Sequence, residues 1–218
     1  ANTGFYTPKS YPKYLGSAEY MTLYNEARAN DGLAANYSQE DIFNHASGSN
    51  PYRYPNFDMY SSEYLKKAYN RSEAIAEISG GSEKVRYYTT TGYYRESSLL
   101  KVGKTEDNYV SRFFVRGNVD MQLHKFITAQ ADANVTFYDS YSANVDWWGQ
   151  TATLRPHLVT PFIPLSYIEA TDQNSLNAVL NSSYLQDGKF FFGGTQQHPT
   201  NPVADAYAAG DSKFVSRQ

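Results

Sequence analysis

Two runs of strict alternation near the middle of the chain constrain its fold more than any other feature. From Arg112 to Leu123, the residues Phe113, Val115, Gly117, Val119, Met121 and Leu123 alternate with Arg112, Phe114, Arg116, Asn118, Asp120 and Gln122. From Ile127 to Tyr138, the residues Ile127, Ala129, Ala131, Ala133, Val135 and Phe137 alternate with Thr128, Gln130, Asp132, Asn134, Thr136 and Tyr138. A period of two sends successive side chains to opposite faces, so each run predicts a strand with one apolar and one polar face. Only His124 and Lys125 separate the two apolar ends, which predicts a tight hairpin. A weaker pair precedes it. Ala74, Ala76 and Ile78 alternate with Glu73, Ile75, Glu77 and Ser79, and Val85, Tyr87, Thr89, Thr91 and Tyr93 alternate with Arg86, Tyr88, Thr90, Gly92 and Tyr94. Between them Gly80 and Gly81 are expected to supply the positive φ of a turn.

Strand length points to a membrane. Twelve residues at about 3.4 Å each give about 40 Å, and a tilt near 40° reduces this to about 30 Å, enough to cross the apolar band of a transmembrane barrel. A sandwich would alternate too, but would fill its core with large branched residues. Here the apolar face carries Gly117, Ala129, Ala131 and Ala133, too small for a tightly packed core and acceptable against lipid tails. The expected fold class is therefore all-β and transmembrane, a segment of an antiparallel outer-membrane barrel. Val115, Val119, Ala131 and Val135 would face lipid. Arg112, Arg116, Asn118, Asp120, Asp132 and Asn134 would face the lumen, where either arginine would pair with Asp120 or Asp132.

Composition agrees with strands wet on one face. Of 218 residues 21 are Tyr, 12 Phe and 2 Trp, while only 41% are hydrophobic, so rings are abundant in a polar chain. No run approaches the roughly 18 apolar residues of a membrane helix. The absence of cysteine removes disulfides and thiolate metal sites. A net charge of −3 with no basic block argues against a nucleic-acid partner. Neither a signal peptide nor an initiator Met precedes Ala1, and the chain stops inside an alternating stretch, so it reads as an internal segment with its targeting signal elsewhere.

The strands are expected over 1–6, 72–79, 84–94, 112–123, 127–138 and 212–218, with long extracellular loops over 7–71 and 139–211. Ser17 is expected to cap a helix ending at Asn30-Asp31-Gly32, and Ser38 with Asp41 resembles a capping box for a second helix closed by Gly48. A third is expected from Ser62 to Tyr69, and a fourth over 175–183. The spacing of Asp31, Asn36 and Asp41 does not fit a calcium loop. Gly103-Lys104-Thr105 lacks the earlier glycine of a phosphate-binding loop, since Ser98 stands there, so it reads as a surface turn. In the second loop Trp147 and Trp148, beside Tyr141, are candidates for stacking on sugar rings. His45, His124, His157 and His198 are scattered, no Gly-flanked nucleophilic serine occurs, and nothing calls for a metal or cofactor. Catalysis is not expected.

Four motifs carry a family resemblance. Pro12-Lys13-Tyr14-Leu15-Gly16-Ser17-Ala18-Glu19-Tyr20-Met21 with Leu23-Tyr24-Asn25-Glu26-Ala27, then Tyr54-Pro55-Asn56-Phe57-Asp58-Met59-Tyr60, then Ser79-Gly80-Gly81-Ser82-Glu83-Lys84-Val85-Arg86-Tyr87-Tyr88, and finally Asn201-Pro202-Val203-Ala204, resemble the N-terminal part of the barrel in SusC-type TonB-dependent transporters (the SusC/RagA family). Met59 stands where the family pattern has tryptophan. The resemblance implies a 22-strand barrel in the outer membrane of a Gram-negative bacterium, and a plug domain that is not in this sequence. It also implies coupling to TonB through an upstream segment, a SusD-like surface lipoprotein as partner, and import of an oligosaccharide or oligopeptide. About five strands and the start of a sixth would be present. Two other readings remain open: a soluble or surface carbohydrate-binding β-domain without transport, and an outer-membrane hydrolase.

Overall fold

The computed structural model describes residues 1–167, 173–174, 177, 185–186, 190–193 and 201–218. It divides into two compact units, one made of residues 1–9, 65–143 and 211–218, the other of 10–64 and 144–210.

The first unit is an antiparallel six-stranded sheet in the order β1-β2-β3-β4-β5-β9. Its strands are β1 (Asn2–Tyr6), β2 (Tyr69–Gly81), β3 (Val85–Ser97), β4 (Tyr109–His124), β5 (Ile127–Ala143) and, after three short strands of the other unit, β9 (Asp211–Arg217). Register fixes the faces, because residues directly opposite in an antiparallel pair lie on one side. Across β2 to β5 one face shows the rows Ala74-Tyr93-Phe113-Phe137, Ala76-Thr91-Val115-Val135, Ile78-Thr89-Gly117-Ala133 and Gly80-Tyr87-Val119-Ala131. The opposite face shows Glu73-Tyr94-Arg112-Tyr138, Ile75-Gly92-Phe114-Thr136, Glu77-Thr90-Arg116-Asn134 and Ser79-Tyr88-Asn118-Asp132. Among the described residues no strand pairs with the outer side of β1 or β9, so the sheet they form is open rather than closed into a barrel.

Both turns differ from expectation. The second hairpin turns at Lys125 and Phe126 instead of His124 and Lys125, because the ladder shifts register between Gln122 and His124 and carries β4 one residue further. In the first hairpin Gly80 and Gly81 belong to β2 and neither has positive φ. Ser82 closes the turn, its N–H donating to the Val85 carbonyl at 2.6 Å. Gly80 lies under the Tyr87 ring from the neighbouring strand: a Cβ there would stand 2.7 Å from the hydroxyl, so the ring would have to shift. Gly92 lies in the same way under the Phe114 ring.

The second unit is built from α1 (Ser17–Asn30), α2 (Gln39–Ser47), α3 (Trp147–Thr153), α4 (Pro202–Ala208) and a small sheet of β6 (Phe162–Pro164), β7 (Leu185–Gln186) and β8 (Phe190–Phe192) in the order β6-β8-β7. Ser38 caps α2 by accepting the Asp41 N–H, and Gly48 ends it with φ 63° in the left-handed region. The α1 cap is Gly16 rather than Ser17, whose hydroxyl donates instead to the Pro55 carbonyl at 2.7 Å. No helix forms over Ser62–Tyr69: Leu65 bridges to Leu100 and Tyr69 begins β2, so sheet pairing overrides local propensity. The helix expected over 175–183 falls, apart from Asn177, outside the described residues. Among the described residues no helix is long and apolar enough to cross a membrane. The core of this unit gathers Met21, Phe57, Met59, Tyr64, Trp147, Val159, Phe192, Val203, Ala204 and Ala206.

Candidate functional site

The polar face of the sheet brings Arg112, Arg116, Asn118, Asp120, Asp132 and Asn134 onto one side. Arg112, Phe114, Arg116, Asp132, Asn134 and Thr136 line a concavity of about 590 Å³. The arginines do not pair with Asp120 or Asp132. The ion pairs among the described residues are Lys66 with Glu106, Lys104 with Asp211 and Arg217 with Asp139. The cross-strand register explains this: Asn118 stands opposite Asp132 and donates its amide to that carboxylate, whereas Arg116 faces Asn134 and Arg112 faces Tyr138. The Arg112 guanidinium lies 5.8 Å from the Phe114 ring.

The three aromatic candidates are divided between the two units. Trp147 is only 1% exposed and its ring packs 5.6 Å from Tyr64 in the core of the second unit. Trp148, the next residue on α3, is 44% exposed and stacks on Tyr60 at 6.0 Å. Tyr141 belongs to β5 in the sheet unit and stacks on Tyr109 at 6.4 Å. Asn201, in the last of the four motifs, is buried. It caps α4 by accepting the Ala204 N–H at 2.8 Å and donates to the Gly193 carbonyl, a structural role.

Sequence reading missed an aromatic cluster around His157. This imidazole stacks on Tyr20 at 5.1 Å, and its Nε2 lies 3.0 Å from the Tyr37 hydroxyl. Burial pushes its pKa down to about 4, with repulsion from His45 and Arg155 adding to the shift. An unfolded imidazole titrates near 6.5, so at pH below about 6.5 the unfolded chain binds more protons than the folded one. Stability should therefore be full above that value and decline as pH falls toward 4. Melting curves from pH 7.5 to 4.5 should fall more steeply for the wild type than for His157→Asn, and parallel curves would remove His157 as the cause. The other lone motif, Gly103-Lys104-Thr105, opens a 3₁₀ helix over Gly103–Asp107 in which Lys104 reaches Asp211 at 2.9 Å and Thr105 is buried. Among the described residues no three His, Cys, Asp or Glu side chains gather where they could hold a metal.

No family model and no solved structure matches the chain. Among characterised proteins it is similar to TonB-dependent receptor P26 of Formosa agariphila, with 26% identity over 173 residues that make up 79% of this chain and 15% of that protein. The chain thus spans well under a fifth of the length of that relative. This distant, partial similarity supports the TonB-dependent receptor family.

Proposed function

We propose that the sheet is part of the wall of an outer-membrane β-barrel in a Gram-negative bacterium and that the whole protein imports an oligosaccharide or oligopeptide by TonB-dependent transport with a SusD-like lipoprotein. The observation that carries this reading is the two-faced sheet. Large apolar side chains stand free on one side, among them Ile78 at 62% exposure, Phe113 at 41% and Val135 at 41%. In water such a surface is unfavourable, whereas against lipid tails it is not. The row Tyr93-Phe113-Phe137 borders the apolar band, and the next row, Arg95-Ser111-Asp139, is polar. An aromatic row at the edge of an apolar band is the pattern of an interfacial girdle. β4 has 16 residues, about 54 Å at 3.4 Å each, so even tilted it projects beyond a band roughly 25 Å tall.

The same exposure disfavours a soluble carbohydrate-binding domain. The polar face then lines the lumen, the tight turns at Ser82–Lys84 and Lys125–Phe126 lie on the periplasmic side, and the long connections lie outside the cell, where exposed Trp148 can meet the cargo. The 22-strand closure, the plug and the SusD-like partner belong to this reading through the family resemblance. Cells expressing the whole protein should take up labelled cargo only when TonB is present, and uptake retained without TonB would overturn the reading. The topology is separately testable. Leu33→Cys, at a position 52% exposed, should react with a membrane-impermeant maleimide on intact cells. Labelling only after the outer membrane is broken would reverse the sidedness.

A further inference from the structure

The second unit contains a cavity of about 460 Å³, lined among others by Tyr14, Tyr20, Asn56, Asp58, Thr153 and Arg155. Its volume lies in the roughly 300–1,000 Å³ range of small-molecule sites. Three segments far apart in sequence form it, and hydrogen bonds fasten them. The buried Ser17 donates its N–H to Asn56 Oδ1 at 2.8 Å and its hydroxyl to the Pro55 carbonyl at 2.7 Å, while the Phe57 N–H donates to the Pro156 carbonyl at 3.0 Å. The walls are therefore set before any ligand arrives.

Each wall offers a different interaction. Tyr14 is half exposed, and Tyr60 backs its ring at 5.5 Å with planes 5° apart. Tyr20, already stacked on His157, seats the Arg155 guanidinium 5.8 Å from its ring centre. Asn56 accepts from Ser17 through Oδ1, which leaves its two amide N–H donors for another partner. Asp58 accepts the Tyr60 N–H at 3.0 Å through Oδ1 and keeps acceptor capacity on its carboxylate. Arg155 is in none of the ion pairs among the described residues, so no described carboxylate is paired with its charge.

We infer that this cavity is a binding subsite for an acidic sugar unit, a pyranose bearing a carboxylate or a sulfate. A pyranose has an apolar face for Tyr14 and hydroxyls that donate to Asp58 and accept from Asn56. An acid group on the ring completes the match, because it alone answers the charge of Arg155 with a bidentate, charge-assisted pair. A simple anion would leave Asp58 and the Tyr14 ring unused, and a peptide carboxylate would answer Arg155 but brings no ring of hydroxyls for Asp58 and Asn56. The assignment rests on the import reading, which puts this unit on the side from which cargo arrives.

The test is calorimetric titration of the full-length protein in detergent with tetragalacturonate, with its methyl-ester counterpart, and with a sulfated galactan tetramer. At least one acidic probe should bind; much weaker binding of the methyl ester than of tetragalacturonate would name the carboxylate as the source, whereas preference for the galactan would name the sulfate. Arg155→Ala should weaken acidic binding by roughly tenfold, the scale of one charge-assisted pair, and leave the ester unchanged. Tyr14→Ala should weaken the acidic probe and any ester binding alike. Arg155 is exposed, so an unchanged melting temperature is expected of its variant. Failure of both acidic probes to bind, equal affinity for acid and ester without sulfate preference, or indifference to Arg155→Ala would overturn the subsite. TonB-dependent uptake alongside any of these results would overturn the subsite alone, whereas uptake without TonB would overturn the transport reading.

Discussion

Trp147→Ala is expected to destabilise the helical unit by about 3–5 kcal/mol, the range for truncating a buried tryptophan. Trp147 is 1% exposed, and its ring lies 5.6 Å from Tyr64, which in turn lies 5.3 Å from Phe57. Removing the indole would open a cavity among the side chains that join α3 to the 57–64 segment. Burial also holds the Tyr64 hydroxyl protonated, raising its pKa with help from Glu63, so this part of the core stays neutral across the usual pH range. Two controls sharpen the prediction. Trp148→Ala, at a position 44% exposed, should cost less than about 1 kcal/mol. Trp147→Phe should cost much less than Trp147→Ala, because the indole Nε1 is buried with no hydrogen-bond partner and its loss leaves no new orphan. Limited proteolysis of the 10–64 and 144–210 segments, read beside thermal melts, would show the effect. Equal losses for Trp147→Ala and Trp148→Ala would refute the assignment of these two neighbours.

The pair shows where sequence reading stops. On α3 adjacent residues point about 100° apart, and nothing local says which tryptophan is inside. The sheet was more legible. β4 and β5 announce themselves because their two faces meet different surroundings, and a period of two then follows from the pleat. The pattern fades at the ends that carry Tyr109, Val110 and Ser111 on one strand and Asp139, Ser140 and Tyr141 on the other, yet these residues pair. Cross-strand contacts hold them: Tyr109 stacks on Tyr141 at 6.4 Å and the Arg95 guanidinium lies 4.7 Å from the Tyr109 ring. Polarity on both faces erases alternation without weakening the ladder. The glycines of the first hairpin misled for a related reason. Gly80 and Gly81 continue β2 without positive φ, a Cβ at Gly81 would meet the Val85 carbonyl and one at Gly80 the Tyr87 ring, and that crowding from the returning strand is a cause that a sequence can only render as a turn. The cavity of Tyr14, Asn56 and Arg155 was hidden altogether, since Ser17 reads as a helix cap but serves as the fastener between segments.

The second large effect concerns the sheet. Val119→Arg should cost about 2–4 kcal/mol in lipid if its position is near the bilayer midplane, whereas Asn118→Arg should be far milder. The two residues are neighbours on β4, equal in backbone environment, and differ only in face. Val119 lies between Tyr87 and Ala131, and Asn118 between Tyr88 and Asp132. A guanidinium at 119 would replace a methyl pair in hydrocarbon. One at 118 would enter a polar row and stand opposite Asp132, whose present partner Asn118 it replaces, so a charge pair would compensate the lost amide contact. Reversible urea unfolding of the whole protein in lipid vesicles measures both. A second strand repeats the comparison: Ala131→Arg should match Val119→Arg in severity, and Asn134→Arg, directly opposite Arg116, should cost less than Ala131→Arg but more than Asn118→Arg. Similar costs at 118 and 119 would mean that both faces of the sheet see one kind of surroundings, as in a soluble domain, and the assignment of lipid to the apolar face would fall.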